Sequence, residues 1–243
     1  MKIPALVFAR GGSRRIPRKN MVKICGKPIV EWSLIQAQCS RQVTDVFLIT
    51  DDDEIAEVGE RRNVEVIRQL PTDFRRMGGT IATVLGIEHM VKRLGWFDTM
   101  VSIAGSGMLR MPDDIDRMIT KRLESAALTV VIMCPIHEPW FFKKLPDGYA
   151  QTFYGSFTPE GNEPERDDEE MMFHFGGAAV SDPRTSLGTK KSNPQHLAWV
   201  AGKPWQFFDL DRPEYITIIE GLFRTQIIEP LGGDCYEKYH DGG

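Results

Sequence analysis

At residues 3–9 the chain reads "IPALVFA", an unbroken apolar run that ends at a polar, glycine-rich stretch. A run this short, closed by a loop, predicts a strand buried on both faces of a parallel sheet. The apolar positions then switch to helical spacing in "PIVEWSLIQAQCS", where Pro28 stands at the place favoured in a first helical turn. The switch repeats down the chain. "DVFLIT" reads as strand, "DDEIAEVGERR" as helix with acids in its first turn, and "VEVIR" as strand. "TIATVLGIEHMVKRLG" reads as helix, "DTMVSIAG" as strand, "PDDIDRMITKRLE" as helix and "LTVVIMC" as strand. Repeated β-α alternation predicts an α/β fold with a doubly wound, mainly parallel sheet.

Beyond Pro135 the alternation stops. Residues 135–175 hold five prolines, several aromatics and the acidic run "EGNEPERDDEE", the pattern of an extended excursion that covers a site or meets another subunit. "WQFFDLD" reads as a last strand leading into the helix "RPEYITIIEGLFRTQ". No internal repeat is visible, and 243 residues suit one generous α/β domain. A single domain over 1–243 with an excursion at 135–175 is therefore expected.

Composition changes this picture little, since 42% hydrophobic residues are ordinary for a globular chain. Charge changes it more. The first 30 residues carry eight cations (Lys2, Arg10, Arg14, Arg15, Arg18, Lys19, Lys23, Lys27) and no acid, whereas the whole chain has a net charge of −4. A basic segment on an acidic body points to one small anionic ligand rather than to nucleic acid, which draws cations over a whole face. Cys25, Cys39, Cys134 and Cys235 show no zinc spacing and read as reduced thiols. The first apolar run is too short for a membrane span or a signal core, and "IPRKN" follows Arg14-Arg15 where a twin-arginine signal needs a hydrophobic stretch. A cytoplasmic protein without a membrane partner is expected.

The cations cluster in "ARGGSRRIPRKN", which leaves the C-terminal end of the first predicted strand. Ligands of α/β sheets bind beyond the strand ends. Gly11 and Gly12 let backbone N–H groups approach a phosphate closely while the neighbouring cations neutralise it. Neither the dinucleotide spacing GxGxxG nor the Walker spacing GxxxxGK[ST] is present, so this is a different phosphate loop or a solvated basic one.

Asp209 and Asp211 form the second candidate. Two residues apart on a strand, they would share a face and need a cation between them, and Mg²⁺ with a triphosphate suits oxygen ligands of this kind. Equally, Asp211 precedes Arg212-Pro213 and has the chemistry of a helix N-cap. The five histidines show no metal-ligand spacing and read as structural.

"ARGGSRRIPRKN" followed by "GKPIVEWSLIQA" resembles the N-terminal signature of the cytidylyltransferases that make CMP-activated acidic sugars, the CMP-sialic acid synthetase family. The similarity continues in "TDDDEIAEVGERRNVEVIR" and recurs near "CPIHEPWFF" and at "DLD". It implies a Rossmann-like nucleotidyltransferase domain of the GT-A-like type, dimerising through an excursion. It also implies Mg²⁺-dependent transfer of CMP from CTP to a small acidic sugar, with loss of pyrophosphate. Position by position it makes Arg10, Ser13, Arg14 and Lys19 the triphosphate cradle, with Gly11 and Gly12 in the same loop. Asn20 and Arg68 fall near the base, and Asp209 and Asp211 become the metal pair. Ser106, Arg110 and Arg166 remain for the acceptor.

Three stretches depart from that family. "AGSGMLR" replaces Gln-Pro-Thr-Ser-Pro-Leu-Arg, keeping only Leu109 and Arg110 and leaving Ala104 without the amide. "DFRRMGGTIA" lacks the family's acid, although Gly78-Gly79 permit a turn and Thr80 a cap. "RDDEEMMFHFGGAAVSD" retains Arg166 and Gly177 while losing two amides. Two rival readings follow: a glycosyltransferase that uses the Asp-x-Asp pair, and a degenerate member that binds nucleotide without turnover.

Overall fold

The structure is a computed structural model, and it describes residues 1–13, 15–68, 71–135, 141–144, 150–154, 172–191 and 197–231. Strand β1 (Pro4–Phe8) is followed by a short hairpin, β2 (Lys23–Ile24) and β3 (Lys27–Pro28), and by helix α1 (Ile29–Cys39). β4 (Asp45–Thr50), α2 (Asp53–Arg61), β5 (Glu65–Arg68), α3 (Pro71–Leu94), β6 (Met100–Ala104), α4 (Pro112–Glu124) and β7 (Thr129–Pro135) complete the alternating part. Next come the hairpin β8 (Phe141–Lys144) and β9 (Ala150–Tyr154), then β10 (Met172–Ser181), α5 (Pro183–Ser186) and β11 (Ala198–Ala201). The chain closes through α6 (Tyr215–Phe223), a π-helical turn at Arg224–Ile228 and α7 (Glu229–Leu231).

Seven strands form one sheet in the order β11-β7-β10-β6-β1-β4-β5. β1 pairs parallel with β4 and β6, β4 with β5, and β11 with β7; only β10 runs antiparallel to its neighbours. The chain winds outward from β1 through β4 to β5 and then returns to β6 on the other side of β1. That reversal opens the crevice in which such sheets bind ligands, beside the C-terminal end of β1.

The alternating side chains of β1 explain the two helical layers. Ala5 and Val7 face a cluster with α1, α2 and α4, while Leu6 faces a cluster with α3. A third cluster lies outside α1, whose outer face carries Trp32 and Ile35 against Met108, Leu109, Leu210, Ile219 and Phe223. α1 is therefore buried nearly all round. Trp32 is fully covered, packs 4.9 Å from Phe223 and donates from Nε1 to the Ile24 carbonyl at 2.7 Å. This third cluster sets side chains between Trp205 and Ile228 beside α1 and the loop after β6.

Several expectations are corrected. "WQFFDLD" is not a strand: Pro204–Phe207 is a 3₁₀ turn started by a proline that lacks a ladder donor, and Asp209 to Asp211 follow it as loop. The remaining strands of the sheet come instead from β10 and β11. Helix α3 begins at Pro71 and runs straight through Gly78 and Gly79, so no turn opens there and Thr80 is no cap. Helix α6 starts at Tyr215 without a side-chain cap, which removes the capping role considered for Asp211. Cys25 and Cys134 are free thiols, but Cys39 is disulfide-bonded, so the expectation of four reduced cysteines fails there. Among the described residues, no helix is long and apolar enough to cross a membrane.

Candidate functional site

The basic loop of residues 10–20 is closed by its own side chains. Asn20, nearly buried, donates from Nδ2 to the Arg10 carbonyl at 2.9 Å, and Gly11 N–H donates to Asp51 Oδ1 at 2.8 Å. A Cβ at Gly11 would lie 2.3 Å from Asp52 Oδ2, so only glycine fits against the tip of α2. Gly12 faces open space, with nothing within 4 Å of a Cβ placed there. Arg18 adopts a left-handed backbone, φ 55°, and turns its guanidinium onto Asp52 at 2.6 Å and Glu54 at 2.9 Å. Asp52 also caps α2 by accepting from Ile55 N–H at 3.1 Å. The acids of "TDDDEIAE" thus start a helix, as their position suggests, and hold the basic loop as well.

The opposite side of the loop meets the end of the chain. Lys19 Nζ lies 3.3 Å from Asp211 Oδ1 and 3.8 Å from Asp209 Oδ1, and Arg15 forms a hydrogen-bonded ion pair with Asp211. The two carboxylates converge although no strand carries them. A tight turn in which Asp211 N–H donates to the Asp209 carbonyl at 2.8 Å folds them together, and buried Leu210 pins the turn into the third cluster.

Their surroundings push the two acids apart. Loss of hydration raises the Asp209 carboxyl above its ordinary range, and Asp211 adds to this against the pull of Lys19. Desolvation acts in the same upward direction on Asp211, but hydrogen bonds from Arg15 and Lys19 outweigh it and hold that carboxyl low.

The other candidates fall in different places. Arg10 is exposed and makes no ion pair with a described residue, and Ser13 is half-buried in the loop. Arg68, at the C-terminal end of β5, donates to Asp53 and, at 3.2 Å, to Glu60. Ser106 is half-buried in the loop after β6. Arg110 is fully buried and donates to the Gly177 carbonyl at 2.8 Å and to Ser33 Oγ at 3.2 Å, so it ties the loop to β10 and α1. Arg14 and Arg166 lie outside the described residues. The pairing of Arg15 and Arg18 with acids was not foreseen, since no spacing rule links residues 196 and 34 positions apart.

No group of three or more His, Cys, Asp or Glu side chains suited to a metal exists among the described residues. Asp209 and Asp211 are the residues that could hold a cation, since both carboxylates converge within 4 Å of one positive charge, the Lys19 ammonium. Two carboxylates, with phosphate and water completing the shell, match the way Mg²⁺ is commonly held.

A doubly wound sheet with a cationic, glycine-containing loop at its switch point and a converging carboxylate pair has the form of a nucleotidyltransferase-like site. The family model described as "Cytidylyltransferase" matches residues 4–127, and the chain belongs to that family. Among relatives, the N-acylneuraminate cytidylyltransferase of Oncorhynchus mykiss is 35% identical over 82 residues, 34% of this chain and 19% of that protein. The pseudaminic acid cytidylyltransferase of Campylobacter jejuni subsp. jejuni is 47% identical over 58 residues, 24% of this chain and 25% of that protein. A longer match is to the 3-deoxy-manno-octulosonate cytidylyltransferase of Chloroherpeton thalassium, 26% identical over 94% of this chain and 89% of that protein. The chain thus spans a quarter or less of the first two relatives. In fold it is similar to CMP:2-keto-3-deoxy-manno-octonic acid synthetase complexed with CTP, at TM-score 0.67 and 17% identity, covering 93% of this chain and 100% of that one.

Proposed function

We propose that the protein transfers CMP from CTP to a small acidic sugar, a 2-keto-3-deoxy sugar acid, and releases pyrophosphate. The observation that carries this reading is the meeting of the basic loop with the carboxylate pair, at Lys19, Asp209 and Asp211, beyond the C-terminal end of β1. The relatives' names, all cytidylyltransferases of acidic sugars, support the substrate class.

The acceptor hydroxyl oxygen bonds to the α-phosphorus of CTP, the bond from that phosphorus to the bridging oxygen breaks, and the hydroxyl proton leaves to solvent. Pyrophosphate departs with the bridging oxygen. Arg10 and Lys19 offset the charge on the phosphate oxygens, and the Gly12 N–H approaches them closely, the Gly11 N–H being already held by Asp51. Asn20 and Arg68 stand on the base side, with Ser13 and Arg14 in the cradle. Asp209 and Asp211 would hold Mg²⁺, which supplies charge stabilisation to the triphosphate when bound. Ser106 and Arg166 belong to the acceptor side, whereas the expected contact from Arg110 is corrected, because its guanidinium is buried and held by Gly177 and Ser33. A homodimer built on the excursion goes with the same reading.

A pyrophosphate-release screen tests this, with the four nucleoside triphosphates against a panel of 2-keto-3-deoxy sugar acids and Mg²⁺. Release that requires CTP and one of the acids is expected. Nucleotide binding by calorimetry with no release on any acid would make the protein a non-catalytic member. Transfer from an intact nucleotide sugar without CTP would make it a glycosyltransferase.

A further inference from the structure

Two loops carry the candidate chemistry of the carboxylate side, and a single buried amide joins them. Gln206, in the turn Pro204–Phe207, is fully buried. Its Nε2 donates to the Leu109 carbonyl at 2.9 Å and to Asp114 Oδ2 at 2.6 Å, and its Oε1 accepts from Lys203 N–H at 2.6 Å. Both amide protons and the carbonyl are used. Asp114 is also fully buried; its Oδ2 accepts from Met111 N–H at 2.8 Å at the start of α4, and its Oδ1 accepts from Arg117. The loop after β6 is held from the other side by Gln36, whose Nε2 donates to the Met108 and Arg110 carbonyls at 2.8 and 3.2 Å.

Leu210 supplies the second anchor, packing in the cluster that contains Met108 and Leu109. The carboxylates at 209 and 211 therefore reach the site from a segment held at two points, by Gln206 on Leu109 and Asp114 and by Leu210 in the cluster of Met108 and Leu109. Apolar contact at Leu210 is not directional, whereas the three hydrogen bonds of Gln206 fix both distance and orientation. A buried polar network of this kind loses more when one member is removed than the bond itself contributes, because the partners stay desolvated.

We infer that Gln206 is a positioning residue of the site: it sets the Asp209–Asp211 pair against the loop bearing Ser106 and Arg110, and touches neither substrate. This rests on reading that pair as the metal ligands. The groups facing Gln206 are Asp114 and Arg117 from α4 and, close by, Cys134 from β7, whose thiol feels the Asp114 charge.

Gln206→Leu and Gln206→Glu test the inference, with Mn²⁺ titration and hydrogen–deuterium exchange as readouts. Gln206→Leu leaves the Leu109 carbonyl and Lys203 N–H without their partner. It is expected to weaken Mn²⁺ binding about 10-fold, a loss comparable to one buried hydrogen bond. Metal-free CTP binding should stay within about two-fold, and exchange should rise in segments 106–111 and 203–211 but not in α2. Gln206→Glu places a second carboxyl against Asp114, whose own carboxyl burial already raises, so its Mn²⁺ affinity relative to wild type should recover as pH is lowered and the pair takes up a shared proton. A purely structural glutamine would lower thermal stability in both variants without this recovery.

Wild-type Mn²⁺ affinity in Gln206→Leu with unchanged exchange in both segments overturns the inference. General loosening that includes α2, with no recovery of Gln206→Glu at low pH, also overturns it. If the wild type binds no Mn²⁺, the metal reading fails instead, and the exchange pattern still decides whether Gln206 holds the two loops together.

Discussion

Two loops of opposite charge make the candidate site, and they are held in opposite ways. The basic loop is built locally: Asn20 closes it onto Arg10, Gly11 rests on Asp51, and Arg18 reaches only as far as the start of α2. The carboxylate loop owes its position to contacts with residues about a hundred positions or more away, through Gln206 on Leu109 and Asp114 and through Lys19 and Arg15. Buried Ile16 also ties the basic loop into the third cluster, with Leu210 and Phe223, but the carboxylate loop hangs on such distant contacts for its position, which makes it the more sensitive to distant substitutions.

The largest test of this contrast is Lys19→Ala, which removes the cation that lies within 4 Å of both carboxylates. Pyrophosphate release per unit of CTP should fall about 100-fold or more, the cost of losing a preorganised charge at a phosphate. Asp209→Ala should match it and abolish Mn²⁺ binding, and normal turnover in either variant would sink the assigned roles. Glycine substitutions separate the two sides next. At Gly107 a Cβ would meet the Gly177 backbone at 2.5 Å, so Gly107→Ala should cost about 1–3 kcal/mol, read as a lowered Tm. Gly12→Ala meets nothing and should leave Tm unchanged while raising the KM for CTP several-fold; a fall in Tm would show that the basic loop is not locally built.

A third test uses acid. Asp182 is fully buried, and although desolvation works to raise its carboxyl, hydrogen bonds from Arg184 and Lys190 lower it to about 2. A depressed carboxyl stabilises the fold above its unfolded value and loses that contribution as pH falls through the folded one. About 2 kcal/mol should therefore disappear between about pH 4 and about pH 2, and urea titrations of Asp182→Asn should lack this step. The smallest effect belongs to Arg15→Ala, whose partner pair is largely exposed and so adds at most about 1 kcal/mol to stability. Mn²⁺ should bind this variant slightly more tightly, because one competitor for Asp211 is gone, and weaker binding would refute that competition.

Much of the fold was legible because hydrophobic period alone separates the elements from β1 to α4. "PDDIDRMITKRLE" is helix α4 from its first residue to its last. What escaped was decided by tertiary contacts. Gly78-Gly79 look like a turn, yet α3 begins at Pro71, continues through them and packs its later turns against β1. The aromatic run before Asp209 looks like a strand, but Gln206 finds its partners across the loop and curls it into a turn. The two aspartates do converge, as expected, though through a turn about Leu210 rather than a shared strand face. Charge clustering marked the basic loop, while nothing in the sequence says which acids will meet Arg15 and Arg18.

The one antiparallel strand of the main sheet has a further consequence. Pro135, the last residue of β7, is paired with Met172, the first of β10. The two ends of the stretch between them therefore stand side by side in one antiparallel pair. Lengthening such a closed loop costs only about 0.6 kcal/mol for each doubling. With its ends side by side, the stretch between Pro135 and Met172 can change length or be grafted from a relative at a small entropic cost to the sheet that carries it.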